Sequence, residues 1–126
     1  MRYLLDTTVL IDHAKGRHGA EAVVESLFAE ANDLYTCDVV VAESMSGGDD
    51  LERGAIMAMI RVLEYVSTHP DAAARAGDSR FSRRATGPRS LADSIIAGVA
   101  WDMDAIVVTR NPKDFKAQGV RVLGYG

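Results

Sequence analysis

The sequence predicts an α/β domain in which helices flank a mainly parallel sheet of four or five strands. Short runs of apolar and β-branched residues alternate with amphipathic stretches of helical spacing, which is the pattern of strand–helix–strand units. The chain has 126 residues, of which 48% are hydrophobic. This is enough for one compact core and too little for two ordinary domains, so we expect a single domain over residues 1–126.

Hydrophobic periodicity and turn residues set the order of the elements. One stretch stays open: the β-branched run at 39–41 favours a strand, whereas Asp38 before it favours the start of a helix. The other predicted elements are strand 2–5, a helix from residue 7, helix 19–32, strand 34–37, helix 51–66, a helix from 71, a loop over 79–89, helix 90–101, strand 105–109 and strand 120–123.

The composition favours a soluble protein of the cytoplasm. No apolar run reaches the roughly 18 residues that a membrane helix needs, and the N-terminus lacks the layout of a signal peptide. The single cysteine, Cys37, cannot form an internal disulfide, which fits a reducing compartment. Its position beside a run of valines is typical of a small core residue, not of a nucleophile.

The charge is unevenly distributed. The net charge of −4 lacks the basic excess of a protein that coats nucleic acid. Residues 75–89, however, contain five arginines and one acid, a local balance of +4 that leaves −8 for the rest. This segment is either a phosphate-holding arm or a solvated surface. On the first interpretation, changing Arg83 and Arg84 to alanine weakens RNA binding and its salt dependence, and Arg89 is a further candidate contact.

Four acids lie at or near predicted junctions between strands and helices. Asp6 follows the first strand, Glu43 lies beyond the second, Asp93 is in the first turn of the late helix, and Asp114 follows the strand that ends at Thr109. Each has an ordinary explanation when taken alone: a helix cap, a surface residue or a turn residue. The carboxyl ends of parallel strands meet at one edge of a sheet, however, so we expect these acids to converge.

Converging carboxylates need a cation. They repel one another and their pKa values rise unless a divalent ion neutralises them. Oxygen ligands without Cys or His favour Mg²⁺ or Mn²⁺ over zinc. Such an ion activates water for attack on a phosphodiester, which predicts a hydrolase. Hydroxyls of Thr7, Thr8 and Thr109 could orient the carboxylates or waters, although Thr109 is equally suited to a strand.

Four segments in this order resemble the PIN domain, and the chain length is that of VapC toxins. The segments are LLDTTVLID at 4–12, VAE at 41–43, LADSIIA at 91–97 and VVTRNPKDF at 107–115. The resemblance implies a three-layer sandwich, a Mg²⁺- or Mn²⁺-dependent endoribonuclease, a VapB-like antitoxin and a homodimer. By motif, Asp6, Glu43 and Asp93 match the central acids, and Asp114 the fourth.

The resemblance also makes Asn111 an auxiliary ligand and places Glu43 on a short helix that begins near Asp38. Asp12 is treated as peripheral. The segment from residue 69 to 88 matches no motif, so the choice of RNA target stays open.

Other classes fit less well. A phosphatase of the haloacid dehalogenase type needs a second aspartate where this chain has Thr8. A receiver domain needs paired acids after the first strand and a phosphorylatable aspartate after the third. The remaining alternative is a PIN-like protein-binding module without catalysis, in which the acids only support the fold or grip a basic partner.

Overall fold

The computed structural model describes residues 1–87 and 89–126 and contains an alternating series of strands and helices. Pro88, which falls in the predicted loop over 79–89, lies outside the described residues. The elements are β1 (Arg2–Leu5), α1 (Thr7–Lys15), α2 (Ala20–Ala29), β2 (Asp33–Cys37), α3 (Asp38–Ser44), α4 (Asp50–Val62), β3 (Glu64–Val66), α5 (Pro70–Ser82), α6 (Leu91–Asp102), β4 (Ile106–Thr109), α7 (Pro112–Lys116) and β5 (Val122–Gly124).

The sheet has five parallel strands in the order β3-β2-β1-β4-β5. Parallel neighbours need crossovers, and the intervening helices supply them and cover the sheet. The predicted three-layer α/β fold is therefore confirmed. The order places β1 in the centre, with β2 and β4 beside it. The ends of β1 and β4 are thus neighbours, which sets Asp6 close to Thr109.

The central strands are buried because both faces of the sheet are covered. Leu4 and Leu5 of β1 and Val107 and Val108 of β4 have no exposed surface. Such strands read as continuous apolar runs instead of alternating ones. Cys37 is also buried, and burial raises the pKa of its thiol to about 11. This places it in the core as expected and keeps it protonated at neutral pH.

Residues 38–44 form a helix, which decides the open assignment in favour of the helix that the family resemblance implied, since tertiary packing overrides the β propensity of the valines. The boundaries differ from the predictions in two places in the first two thirds of the chain. The predicted helix over 51–66 is wrong beyond Val62, because residues 64–66 pair with β2 as an edge strand. The predicted loop over 79–89 is wrong at its start, because α5 continues to Ser82.

The C-terminal part differs as well. Residues 112–116, for which a turn was one interpretation, make the short helix α7 with Pro112 at its start, where a missing N–H costs nothing. The last strand begins at Val122 instead of residue 120. Within the described chain, no helix is long and apolar enough to span a membrane.

The tightest helix packing is between α5 and α6. Gly98 of α6 is buried directly against the backbone of Ala72 in α5, and a Cβ atom at position 98 would collide with the carbonyl oxygen of Ala72. Only glycine permits this approach. The close contact matters for the site, because α6 supplies Asp93 at its N-terminal end.

Candidate active site

Asp6 occupies the junction between β1 and α1 and is almost fully buried. Its Oδ1 accepts from the backbone N–H of Thr7 at 2.8 Å, so it caps the helix. Its Oδ2 accepts from the hydroxyls of Thr109 at 2.9 Å and Thr8 at 3.1 Å. Burial raises the pKa of Asp6, these hydrogen bonds oppose the rise, and the charge of Glu43 adds to it. The carboxylate of Asp6 therefore both caps α1 and belongs to the acidic site.

Glu43 reaches the same region from α3. It lies near the end of that helix, is exposed, and its Oε1 accepts from the hydroxyl of Thr7 at 2.7 Å. Thr7 therefore joins the carboxylates of Asp6 and Glu43: its backbone N–H binds the first and its hydroxyl the second. This is the orienting contact expected from the position of Thr7 after Asp6.

Asp93 lies in the first turn of α6. Its backbone N–H donates to the Ser90 hydroxyl at 3.3 Å, so Ser90 caps the helix. The carboxyl of Asp93 is half-buried, and its pKa rises from 3.8 to about 6. Burial is the largest cause, followed by repulsion from Asp6, Glu43 and Asp114. Asp93 therefore responds electrostatically to all three of the other acids.

Asp114 is an exposed residue of α7 that shares a polar cavity with Asp93. The structure thus brings the four acids to one edge of the sheet: Asp6, Glu43 and Asp114 lie beyond the ends of parallel strands, and Asp93 lies at the start of the helix that leads into β4. Asn111 stands in the same connection. Its backbone N–H donates to Thr109 Oγ1 at 3.0 Å, and its side chain is exposed and makes no capping bond.

The donor set fits a hard divalent cation that retains water. In the described residues, no three His, Cys, Asp or Glu side chains stand close enough to form a ready metal cage. The repulsion at Asp93 acts over a longer distance than a metal–ligand bond, so the two observations are compatible. Mg²⁺ usually contacts one or two carboxylates directly and keeps several waters. Asp6, Glu43, Asp93 and Asp114 could hold such an ion, in part through its waters.

The three candidate RNA contacts have different environments. Arg84 is exposed: its guanidinium stacks over the Phe81 ring at 3.7 Å and donates to the Phe81 carbonyl oxygen at 2.7 Å. Arg83 and Arg89 are half-buried and line the cavity beside Asp93. The charge pattern of the sequence could not show that Arg83 and Arg89 line this cavity whereas Arg84 does not.

A second hydrogen-bond network, which the sequence did not predict, is centred on Asp12 and reaches the Thr8 hydroxyl that binds Asp6. Asp12 of α1 is fully buried, and its Oδ2 accepts from Arg110 Nε and from the Tyr125 hydroxyl, both at 2.8 Å. The Arg110 backbone N–H donates to Thr8 Oγ1 at 3.3 Å. This network ties the C-terminal residues and the connection after β4 to α1, next to the hydroxyl that binds Asp6.

A signal for this network was present in the sequence. Asp12 follows Val9 by three residues in a helix whose apolar face is buried, so both must lie on one side. A carboxylate on the buried face of a helix requires a partner, because an unpaired buried charge is costly. The partner residues could not be named without the tertiary structure.

The fold and site define a class of protein: residues 3–119 match the PIN domain family, and the chain belongs to that family. It is 26% identical over 114 residues to Ribonuclease VapC19 from Mycobacterium tuberculosis, a match that covers 89% of this chain and 90% of that protein.

Solved structures with this fold include toxin–antitoxin complexes. VapBC2 from Rickettsia felis, bound to a promoter DNA fragment, has a TM-score of 0.82 with 20% identity and covers all of both chains. A toxin–antitoxin complex from Klebsiella pneumoniae has a TM-score of 0.71 with 25% identity and covers 90% of this chain and 89% of that one. The resemblance read from the four motifs is confirmed at the level of the family.

Proposed function

We propose that the protein is a divalent-metal-dependent endoribonuclease of the VapC type, formed by one PIN domain and acting in the cytoplasm. The observation that carries this proposal is the convergence of carboxylates from four segments: Thr7 joins those of Asp6 and Glu43, Asp93 and Asp114 line one cavity, and the other three charges raise the pKa of Asp93. If each acid only capped its own helix, carboxylates from four segments would have no reason to lie close enough to affect one another's charge. The similarity to Ribonuclease VapC19 adds RNA as the substrate class.

The chain's own residues have distinct parts in this reaction. Asp6, Glu43, Asp93 and Asp114 would hold Mg²⁺ or Mn²⁺, with Asn111 as an auxiliary oxygen donor. When bound, the ion supplies Lewis acidity for hydrolysis by water. Hydrogen bonds from Thr7, Thr8 and Thr109 fix the carboxylates of Asp6 and Glu43, which limits the reorganisation needed when RNA binds.

A direct experiment is to incubate the purified protein with total cellular RNA in Mg²⁺, in Mn²⁺ and in EDTA. Discrete fragments are expected with either ion and not in EDTA, because the carboxylates alone cannot activate water. Sequencing the new RNA ends would identify the cut. If RNA stays intact with both ions while the protein is folded, the non-catalytic binding module becomes the better description.

We also propose a VapB-like antitoxin as the partner, with two copies of the chain in the complex. The structural neighbours are toxin–antitoxin complexes. A mostly apolar groove of about 770 Å³ between α1, α2 and α4 offers a surface for such a protein. Glu21 and Glu25 line it, and Phe28 and Val62 are exposed there. These features favour a partner segment with apolar and basic residues.

The partner proposal predicts that a VapB-like protein from the same genome binds the chain and stops RNA cleavage. Val62→Asp should weaken this binding at least about tenfold, because it places a charge in an apolar contact. Leu51→Asp is the matched control, since Leu51 is exposed on the same helix and lies outside the groove. Light scattering of the complex would report its copy number. Equal affinities for the two variants would place the interface elsewhere.

A further inference from the structure

A polar cavity of about 280 Å³ adjoins the acidic cluster, between the end of α5, the start of α6 and α7. Its lining combines both signs of charge. Asp93 and Asp114 come from α6 and α7, whereas Arg83 and Arg89 come from the segment between α5 and α6. The other lining residues are Gly87, Ser90, Ala117 and Gln118.

Arg89 is held in place by neutral groups. Its Nη1 donates to the carbonyl oxygen of Ser79 at 3.2 Å and to the Ser79 hydroxyl at 3.0 Å, and its Nη2 donates to the carbonyl oxygen of Ala117 at 3.1 Å. No carboxylate of the described residues lies within 4.0 Å of its guanidinium. Arg89 therefore presents a fixed positive charge that no neighbouring acid neutralises, and an anionic ligand would not have to order it.

Arg83 lines the same cavity under a weaker constraint. Its Nε donates to the Thr86 hydroxyl at 3.4 Å, near the limit for a hydrogen bond. It too has no carboxylate partner among residues 1–87 and 89–126. Its guanidinium can therefore move towards a ligand. The neighbouring Arg84, stacked on Phe81, does not line the cavity.

We propose that this cavity is a subsite for the RNA phosphate next to the one that is cut, with Arg89 as a fixed contact and Arg83 as a contact that closes on the ligand. The inference rests on the proposed ribonuclease function and names the part of the substrate that this cavity takes. Planar guanidinium groups match the oxygens of a phosphate, and such charge-assisted bonds are strong.

The mixed charge of the lining favours a nucleic acid strand over a free anion. An isolated anion would be attracted by the arginines and repelled by Asp93 and Asp114. A strand would satisfy both parts if one phosphate lay at the acids together with their divalent cation and the next phosphate lay at the arginines. The capped N-terminus of α6, where Ser90 lines the cavity, adds a small favourable field for the phosphate.

The experiment compares two adjacent arginines that carry the same charge. Binding of a short fluorescein-labelled single-stranded RNA is measured by anisotropy over a range of salt concentrations for the wild type, Arg83→Gln and Arg84→Gln. Ca²⁺ replaces Mg²⁺, because it binds the same kind of oxygen ligands and is expected to activate water less, and gel analysis of each sample verifies that the RNA stays intact. Arg83→Gln should weaken binding about tenfold and lower the slope of log K against log salt by about 0.7, the value for one lost phosphate contact on a single strand.

Arg84→Gln should retain the wild-type slope with a small loss of affinity. Equal slopes for the two variants, or no measurable binding by the wild type at low salt, would overturn the subsite. Cleavage in Mg²⁺ is recorded separately for all three proteins. Intact cleavage with equal slopes rejects the subsite alone, whereas a selective effect of Arg83→Gln without any cleavage rejects the ribonuclease proposal alone.

Discussion

Replacing Asp93 with asparagine is expected to reduce metal-dependent RNA cleavage by roughly a hundredfold or more, because Lewis-acid stabilisation by a bound ion contributes several kcal/mol. The charges of all three other acids raise the pKa of Asp93, so Asp93 lies close to each of them. Initial rates on one defined RNA, with Mg²⁺ varied, would separate a loss of metal affinity from a loss of turnover.

The same substitution is expected to stabilise the metal-free protein at neutral pH. The folded state raises the pKa of Asp93 from 3.8 to about 6, so the ionised carboxylate opposes folding above pH 6. The penalty fades as pH falls from about 6 towards 4. After allowance for partial exposure it amounts to about 1 to 2 kcal/mol. In EDTA, Asp93→Asn should therefore melt higher than the wild type at pH 7, and the difference should disappear near pH 4.

Asp102→Asn is the matched control, since it makes the same change at the exposed opposite end of α6. It should cleave RNA at the wild-type rate. Adding Mg²⁺ should raise the melting temperature of the wild type and of Asp102→Asn, and much less that of Asp93→Asn. A lower metal-free melting temperature for Asp93→Asn at pH 7 would contradict the clustered acids. Asp6→Asn is a less clean test, because it also disturbs three hydrogen bonds.

The largest effect on stability is expected from Gly98→Ala. The new methyl group would collide with the carbonyl oxygen of Ala72, so α5 and α6 must separate. Overpacking of this kind costs about 1 to 3 kcal/mol or more, even though alanine is the better helix former. Urea denaturation would measure the loss. Because α6 positions Asp93, the surviving folded protein should also cleave RNA more slowly.

Gly77→Ala provides the control for helix propensity. Gly77 lies in α5, and nothing stands within 4 Å of the position that its Cβ would take. This variant should gain up to about 1 kcal/mol. Opposite signs for the two glycines are the expected result. A Gly98→Ala protein as stable as the wild type would show that the helix pair can separate without cost.

The local sequence was sufficient for most elements because their signals are short-range. The strand at 2–5 and the cap at Ser90 follow from a buried apolar run and from a hydroxyl three residues before an acid. Residues 64–66 were misassigned, since pairing with β2 and not local preference makes them a strand. The end of α5 was also misassigned. Arg80, inside the predicted loop, belongs to the helix, and its side chain donates to the Arg89 carbonyl oxygen nine residues further on.

The sequence by itself determined which chemical groups are present and that the acids lie near the ends of strands or at the start of a helix, because hydrophobic patterning and residue type act locally. The tertiary structure alone decided which charges meet. It set Thr7 between two carboxylates, placed Arg89 against neutral acceptors beside Asp93, and paired buried Asp12 with Arg110 and Tyr125. These outcomes depend on distances between residues far apart in the chain, and electrostatic energy depends on distance and burial, which no local pattern encodes.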